Sequence, residues 1–179
     1  MIKTLEGKTM KQNRPRMQII RGLPGSGKTT LALKRYSHLM RLETDMYFYR
    51  NGAYRFTLKN NNAAVKWFER MVGEACSNGM DFVVTGVFSA HTERLKTVIN
   101  LGLAYGYDVY IKTLTSRYKG IHEVPKKHYD AMKNSFVDES ELKKKYSSPV
   151  FRGVHFGLMS KGMDLEHLKK TNKKENKNK

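Results

Sequence analysis

Apolar residues along the chain alternate between two spacings. Short apolar runs typical of β-strands occupy residues 17–21, 40–43, 82–85 and 109–111, and a weaker run covers residues 150–156. Between these runs, apolar side chains recur every three or four residues, which predicts amphipathic helices starting at Lys28 and covering residues 64–75 and 95–104. Strands that alternate with helices predict an α/β fold, with a parallel sheet that has helices on both faces.

The remaining segments carry weaker patterns. Residues 44–56 are rich in Tyr, Asn and Gly and are expected to form an ordered loop, and residues 116–123 form a basic loop. Pro125 is expected in the first turn of a helix that continues to about Phe136, because a first-turn residue needs no backbone N–H. A short helix is predicted over residues 140–145.

A phosphate-binding motif follows the first predicted strand. Residues 22–29 fit G-x-x-x-x-G-K-[ST] in full, and the expected strand and helix flank them. In such a loop, glycines let the backbone approach phosphates, and the N–H groups and helix N-terminus attract them. Lys28 is expected to contact the β- and γ-phosphates of ATP, and the Thr29 hydroxyl to bind Mg²⁺. The predicted nucleotide-binding residues are Gly22, Pro24, Gly25, Ser26, Gly27, Lys28, Thr29 and Thr30.

Three blocks of sequence together resemble one family. They are RGLPGSGKTTLA at 21–32, TDMYFYRNGAYRF at 44–56 and KGIHEVP at 119–125. In this order they resemble the polynucleotide-kinase-like branch of P-loop kinases, which includes bacteriophage polynucleotide 5′-kinases and the ATP-binding domains of NEDD-binding proteins. The resemblance implies a three-layer P-loop NTPase fold with a small lid. It also implies an ATP-dependent phosphotransferase.

The resemblance also implies catalytic residues. Asp45 matches the family's general base, which takes the proton of the acceptor hydroxyl. Lys119 stands where the family's lid has an arginine on the transferring phosphate, and Arg117 is a second candidate because only arginine offers a bidentate fork. The alternatives are that Asp45 is a turn or capping acid and that the two cations are solvated surface charges.

One expected acid is missing from the pattern. Where relatives have an aspartate at the end of the third strand, this sequence has Thr85. Without that Walker-B-type carboxylate, magnesium is expected to be held by Thr29, phosphate and water, with Asp45 as a candidate for assistance. This departure supports the alternative that catalysis is vestigial.

The net charge bears on the partner. There are 34 basic and 16 acidic residues, giving +18, and such a charge attracts polyanions. Nucleic acid is therefore expected as substrate or ligand, although a solubilising surface with a basic tail is the simpler alternative. Aromatic residues beside Asp45, with Arg50 and Arg55 among them, either stack an acceptor base or pack locally.

Composition also limits the location and the domain organisation. No apolar run reaches 18 residues, the only cysteine is Cys76, and nothing in the sequence indicates a protein partner. A cytoplasmic protein without a membrane segment or disulfide is expected. The expected organisation is a flexible leader over residues 1–16, a kinase domain over residues 17–160, and a basic, largely disordered tail over residues 161–179.

Three functions remain open from the sequence. The first is transfer of the ATP γ-phosphoryl group to a hydroxyl of a nucleic acid, at a 5′-end or a hydroxymethylated base, or of a nucleotide. The second is an ATP-dependent nucleic-acid-binding or regulatory protein. The third is a kinase of a small metabolite or nucleotide sugar, as in zeta-toxin relatives.

Overall fold

A parallel β-sheet forms the centre of the protein. The structure is a computed structural model that describes residues 14–86, 92–116, 118 and 124–160. Within these residues the sheet has five strands, namely β1 (Arg16–Gly22), β2 (Met40–Leu42), β5 (Phe82–Gly86), β6 (Asp108–Leu114) and β7 (Val154–Phe156), and a separate hairpin joins β3 (Tyr49–Arg50) to β4 (Ala53–Tyr54). The strand order in the sheet is β2-β5-β1-β6-β7, and each neighbouring pair is parallel.

Helices cover both faces of this sheet. They are α1 (Lys28–Tyr36), α2 (Asn61–Ser77), α3 (Thr92–Ala104), α4 (Lys126–Asn134) and α5 (Glu139–Tyr146). Because side chains alternate along a strand, Met17 and Ile19 of β1 join the core under α2 and α3, while Ile20 joins the core under α1. The three-layer α/β P-loop fold expected from the sequence is therefore confirmed.

A buried glutamine connects the centre of the sheet to the end of the described chain. Gln18 accepts hydrogen bonds from the Tyr36 hydroxyl at 3.0 Å and from the Met159 N–H at 2.7 Å. Its amide donates to the carbonyls of Tyr110 and Gly157. A buried amide that is fully hydrogen-bonded in this way fixes β1, α1 and the segment after β7 in one arrangement.

Several element boundaries differ from the sequence-based expectation. Residues 44–56 form a 3₁₀ helix, Thr44–Phe48, and the β3–β4 hairpin rather than a loop. Pro125 lies just before α4 rather than in its first turn, and α4 ends at Asn134, before Phe136. The last strand begins only at Val154, after a 3₁₀ turn over Pro149–Phe151. In the described part of the chain no helix is long and apolar enough to cross a bilayer.

Candidate active site

The phosphate loop joins β1 to α1 in the conformation that its glycines allow. Gly25 and Gly27 have φ values of 75° and 86°, in the left-handed region that favours glycine. The Ser26 N–H donates to the Leu23 carbonyl at 3.1 Å, and the Leu31 N–H donates to the Gly27 carbonyl at 2.9 Å. The loop therefore turns directly into the N-terminus of α1, whose N–H groups attract anions.

Gly22 is required for a different reason, which is close packing at the end of the sheet. A Cβ atom at this position would lie 2.6 Å from the Leu114 carbonyl oxygen and would also clash with the Ser26 hydroxyl. The ends of β1 and β6 meet here, so a side chain would push the loop away from the sheet. Of the other predicted nucleotide-binding residues, Ser26 is buried, Pro24 is half-buried and Thr30 is exposed on α1.

Lys28 reaches back over the loop. Its Nζ donates to the carbonyls of Gly22 at 3.0 Å and Leu23 at 2.9 Å. Burial lowers the pKa of Lys28 to about 8, while the negative charges of Asp45 and Glu43 oppose this shift. The amine is therefore mostly protonated at neutral pH, and it lies against the backbone of the phosphate loop.

Glu43 is a site residue that the sequence reasoning missed. It follows β2, and its Oε2 accepts hydrogen bonds from Thr85 Oγ1 at 2.7 Å and from Thr29 Oγ1 at 3.5 Å. Its other oxygen pairs with Arg41. The acid absent from position 85 thus has a counterpart just after the neighbouring strand, because Leu42 pairs with Val84 and Glu43 and Thr85 are the residues that follow them.

The oxygen atoms around Glu43 fit a magnesium ion. Two hydroxyls and one carboxylate are hard donors of the kind that Mg²⁺ prefers, and Mg²⁺ in nucleotide sites completes its shell with phosphate and water. No group of three or more His, Cys, Asp or Glu residues that could hold a metal occurs among the described residues. A single protein carboxylate beside a P-loop threonine is consistent with a metal that arrives with a nucleotide.

Asp45 lies at the same edge of the sheet as the phosphate loop, because β1 and β2 run in the same direction and both segments follow the ends of these strands. It occupies the first turn of the 3₁₀ helix Thr44–Phe48, and its side chain is exposed. Its charge raises the pKa of Lys28 against the effect of burial and adds to the burial that raises the pKa of Tyr54 to about 12. The carboxylate therefore lies within electrostatic reach of Lys28, while the expected catalytic role of Asp45 stays a prediction.

The comparison with known families matches this geometry. The family model for zeta toxin matches residues 2–120. The chain belongs to the zeta toxin family. It therefore has a kinase-like, ATP-binding P-loop fold, which agrees with the phosphate loop described above.

The relatives of this zeta toxin family chain include one that the sequence suggested. NEDD4-binding protein 2 of Homo sapiens is 30% identical over 97 residues, which are 52% of this chain and 6% of that protein. The chain thus spans only a small part of that relative. The expected likeness to NEDD-binding proteins is found, whereas membership of the polynucleotide-kinase-like branch stays a prediction.

A solved structure shows the same fold. A putative kinase from Chloroflexus aurantiacus superposes with a TM-score of 0.52 at 13% identity, covering 90% of this chain and 98% of that one. A structure from the PezAT toxin–antitoxin system of Streptococcus pneumoniae superposes with a TM-score of 0.43 at 20% identity, covering 57% of this chain and 47% of that one.

The two predicted lid cations, Arg117 and Lys119, lie outside the described residues. Tyr118 between them is described, and its N–H donates to the Gly25 carbonyl at 2.8 Å. A Cβ atom at Gly27 would lie 3.3 Å from the Tyr118 ring, so the ring packs over the phosphate loop. Tyr118 is therefore held against the phosphate loop by its backbone and its ring.

Arg21 is a second residue that the sequence reasoning missed. It directly precedes the loop and is fully buried. Its Nη2 donates to the Val137 carbonyl at 2.6 Å, and its guanidinium lies 4.2 Å from the centre of the Phe136 ring. Burial lowers its pKa to about 10, against the charges of Glu139 and Asp138. Arg21 thus attaches the segment after α4 to the base of the phosphate loop.

Proposed function

We propose that this protein transfers the γ-phosphoryl group of ATP to a hydroxyl group on a nucleic acid, at a 5′-end or a hydroxymethylated base, or on a nucleotide. The observation that carries the proposal is that Asp45, in the 3₁₀ helix after β2, is close enough to Lys28 of the phosphate loop for its charge to raise the pKa of that lysine. The zeta toxin family match supports the kinase-like chemistry.

Each group has a role in the transfer. Asp45 orients the acceptor hydroxyl and accepts its proton, the hydroxyl oxygen forms the new bond to the γ-phosphorus, and ADP leaves with the bridging oxygen. Lys28 and the N–H groups of the loop stabilise the charge on the phosphates. Arg117 and Lys119 are proposed to contact the transferring phosphoryl group from the lid.

Thr29 and Glu43 are the residues that would hold magnesium. The ion would supply positive charge beside the β- and γ-phosphates. Glu43 also weakens the argument for vestigial catalysis, since that argument rested on a missing carboxylate.

A small-metabolite kinase is the second candidate. The family match favours it, because the sequence analysis linked zeta-toxin relatives to a small metabolite or nucleotide sugar as the acceptor. The net charge of +18 favours a polynucleotide instead, because a small acceptor needs no extended positive surface. An ATP-dependent binding protein without transfer is the third candidate.

Transfer of label from γ-labelled ATP to a panel of oligonucleotides, nucleosides and sugars tests the proposal. Wild-type protein should label an oligonucleotide with a free 5′-hydroxyl or a hydroxymethylated base. Asp45→Asn should reduce transfer by roughly 10² or more, the usual scale for a positioned base, while ATP affinity stays within a few-fold. Glu141→Gln, an exposed carboxylate on α5, is the matched control and should leave transfer unchanged.

The outcomes separate the three candidates. Labelling of sugars or nucleosides alone would favour the metabolite kinase. ATP binding without transfer to any acceptor would favour the binding protein. If Asp45→Asn loses ATP affinity as well, its carboxylate acts mainly through the magnesium.

A further inference from the structure

A basic segment without acidic residues follows Asp45. Residues 46–68 contain four basic side chains and no aspartate or glutamate. The same residues include seven aromatic side chains, namely Tyr47, Phe48, Tyr49, Tyr54, Phe56, Trp67 and Phe68. Aromatic faces among positive charges are typical of surfaces that bind single-stranded nucleic acid.

One buried ring organises the first part of this segment, residues 47–56, which we call the aromatic hairpin. Phe48 is buried, and its ring centre lies 4.9 Å from that of Phe56, 5.5 Å from that of Tyr47 and 6.1 Å from that of Tyr54. The Arg55 N–H donates to the Phe48 carbonyl at 2.8 Å. These contacts hold the hairpin in a defined position on the 3₁₀ helix that carries Asp45.

The outer rings of the aromatic hairpin remain accessible. Tyr49 and Phe56 are each 51% exposed, although each contacts another ring of the hairpin. Arg50 and Arg55 are exposed beside them. Core packing accounts for Phe48, but it does not account for two half-exposed rings flanked by arginines. Such a surface suits flat bases that are joined by negatively charged phosphates.

The aromatic hairpin adjoins the proposed catalytic carboxylate. Asp45 and Phe48 belong to one 3₁₀ helix, and β3 begins at the next residue. Tyr54 of β4 pairs with Tyr49 of β3. Burial, together with the charges of Asp45 and Glu43, raises the pKa of Tyr54. An acceptor whose hydroxyl meets Asp45 would therefore place its neighbouring groups on this hairpin.

We propose that the aromatic hairpin binds the bases next to the acceptor hydroxyl of a single-stranded nucleic acid. Tyr49 and Phe56 stack against the bases, and Arg50 and Arg55 contact the adjacent phosphates. The proposal rests on the proposed function for the identity of the acceptor, but the binding itself requires no ATP. Stacking on one aromatic side chain changes affinity by roughly five- to 150-fold.

Binding of a single-stranded oligonucleotide with a free 5′-hydroxyl, labelled at its 3′-end and followed by fluorescence anisotropy without ATP, tests the proposal. Tyr49→Ala in the full chain should weaken binding by roughly fivefold or more. Tyr49→Trp should keep the affinity, because it keeps an aromatic face. Tyr105→Ala is the matched control, since Tyr105 is 50% exposed after α3 and outside the hairpin, and it should change affinity less than twofold.

The ligand provides a second, independent arm. An oligonucleotide that lacks the bases of its first two nucleotides keeps its phosphates but cannot stack. Wild-type protein should bind it at least as weakly as Tyr49→Ala binds the intact oligonucleotide, and a double variant with Tyr49→Ala and Phe56→Ala should show little further loss. ATP affinity and the melting temperature of each variant verify that it is folded.

Three results would be decisive. If Tyr49→Ala and Phe56→Ala bind like wild type, or if the missing bases make no difference, the aromatic hairpin is not a base-binding surface. That result would leave a protein partner as the remaining reason for its exposed rings. If binding depends on the hairpin but no phosphoryl group is transferred, the proposed kinase function fails and the base-binding surface stands.

Discussion

At the scale of single residues, the site depends on charges held close together in partly buried positions. Lys28 is partly withdrawn from water, which disfavours its charged form and lowers its pKa. The carboxylates of Asp45 and Glu43 favour the charged form and oppose part of this shift. Bound phosphates would add further negative charge and raise the pKa of Lys28 well above its value of about 8 in the free protein. ATP binding must then take up a proton when the pH exceeds that value.

ATP affinity should accordingly depend on pH in a defined window. Below about pH 8, Lys28 is already protonated and affinity should be constant, whereas above it affinity should fall by up to about tenfold per pH unit. Calorimetric titration between pH 7 and 9.5 measures this dependence. Lys28→Ala should bind ATP at least tenfold more weakly at neutral pH and should lose the dependence. A constant wild-type affinity across the window would show that Lys28 does not contact the phosphates.

Glu43 allows a separate test of magnesium binding. Glu43→Gln keeps an oxygen that accepts from the Thr85 hydroxyl but removes the negative charge. We expect the Mg²⁺ concentration that half-saturates ATP binding to rise about 10- to 100-fold, the range of metal affinity lost when groups that support a metal are changed. Titration of Mg²⁺ at fixed ATP measures it, and Glu141→Gln serves as the control. An unchanged half-saturating Mg²⁺ concentration would assign Glu43 a purely structural role with Arg41 and Thr85.

At the scale of elements, the sequence predicted what depends on neighbouring residues and missed what depends on distant ones. The order of strands and helices and the phosphate loop follow from local periodicity and one motif. Glu43 enters the site because β2 pairs with β5, and Arg21 contacts Phe136 and Val137, which are distant from it in the sequence. The hairpin had a local signal in the sequence, the turn pair Asn51-Gly52, whose φ values in the structure are 51° and 75°. Its two-residue strands are too short to show alternating apolar and polar side chains.

The packing of α3 on the sheet gives a prediction at this scale. A Cβ atom at Gly102 would lie 2.9 Å from Val109 Cγ2 and would clash with the Met17 side chain, whereas a Cβ at Gly73 in α2 would meet nothing within 4 Å. Overpacking costs about 1–3 kcal/mol, and replacing a helical glycine by alanine gains about 0.5–1 kcal/mol. Gly102→Ala should therefore lower the free energy of unfolding and Gly73→Ala should raise it, as chemical denaturation would measure. Stabilisation by both substitutions would mean that α3 does not pack so closely.

At the scale of the whole molecule, the charge of +18 is distributed unevenly along the chain. Residues 46–68, which follow Asp45, carry four basic side chains and no acidic one. Residues 168–179 carry six lysines and one glutamate. Both groups attract polyanions, and the first directly follows the proposed catalytic carboxylate in the chain. We expect a nucleic acid held by the first group to be positioned for reaction, and one held by the second to be concentrated near the protein.

Salt dependence should distinguish these two contributions. Each phosphate that a basic side chain neutralises releases counterions, so the logarithm of affinity falls linearly with the logarithm of salt concentration, by about 0.7 per contact for single strands. Deleting residues 168–179 should make this slope shallower while leaving binding and phosphoryl transfer in place. Replacing Arg50 and Arg55 by glutamine should reduce the slope by only about 1 to 2 but should raise the KM for the acceptor. If binding instead disappears with residues 168–179 and the double variant behaves like wild type, the charge beside Asp45 does not hold the acceptor. The small-metabolite kinase would then be the better account of the site.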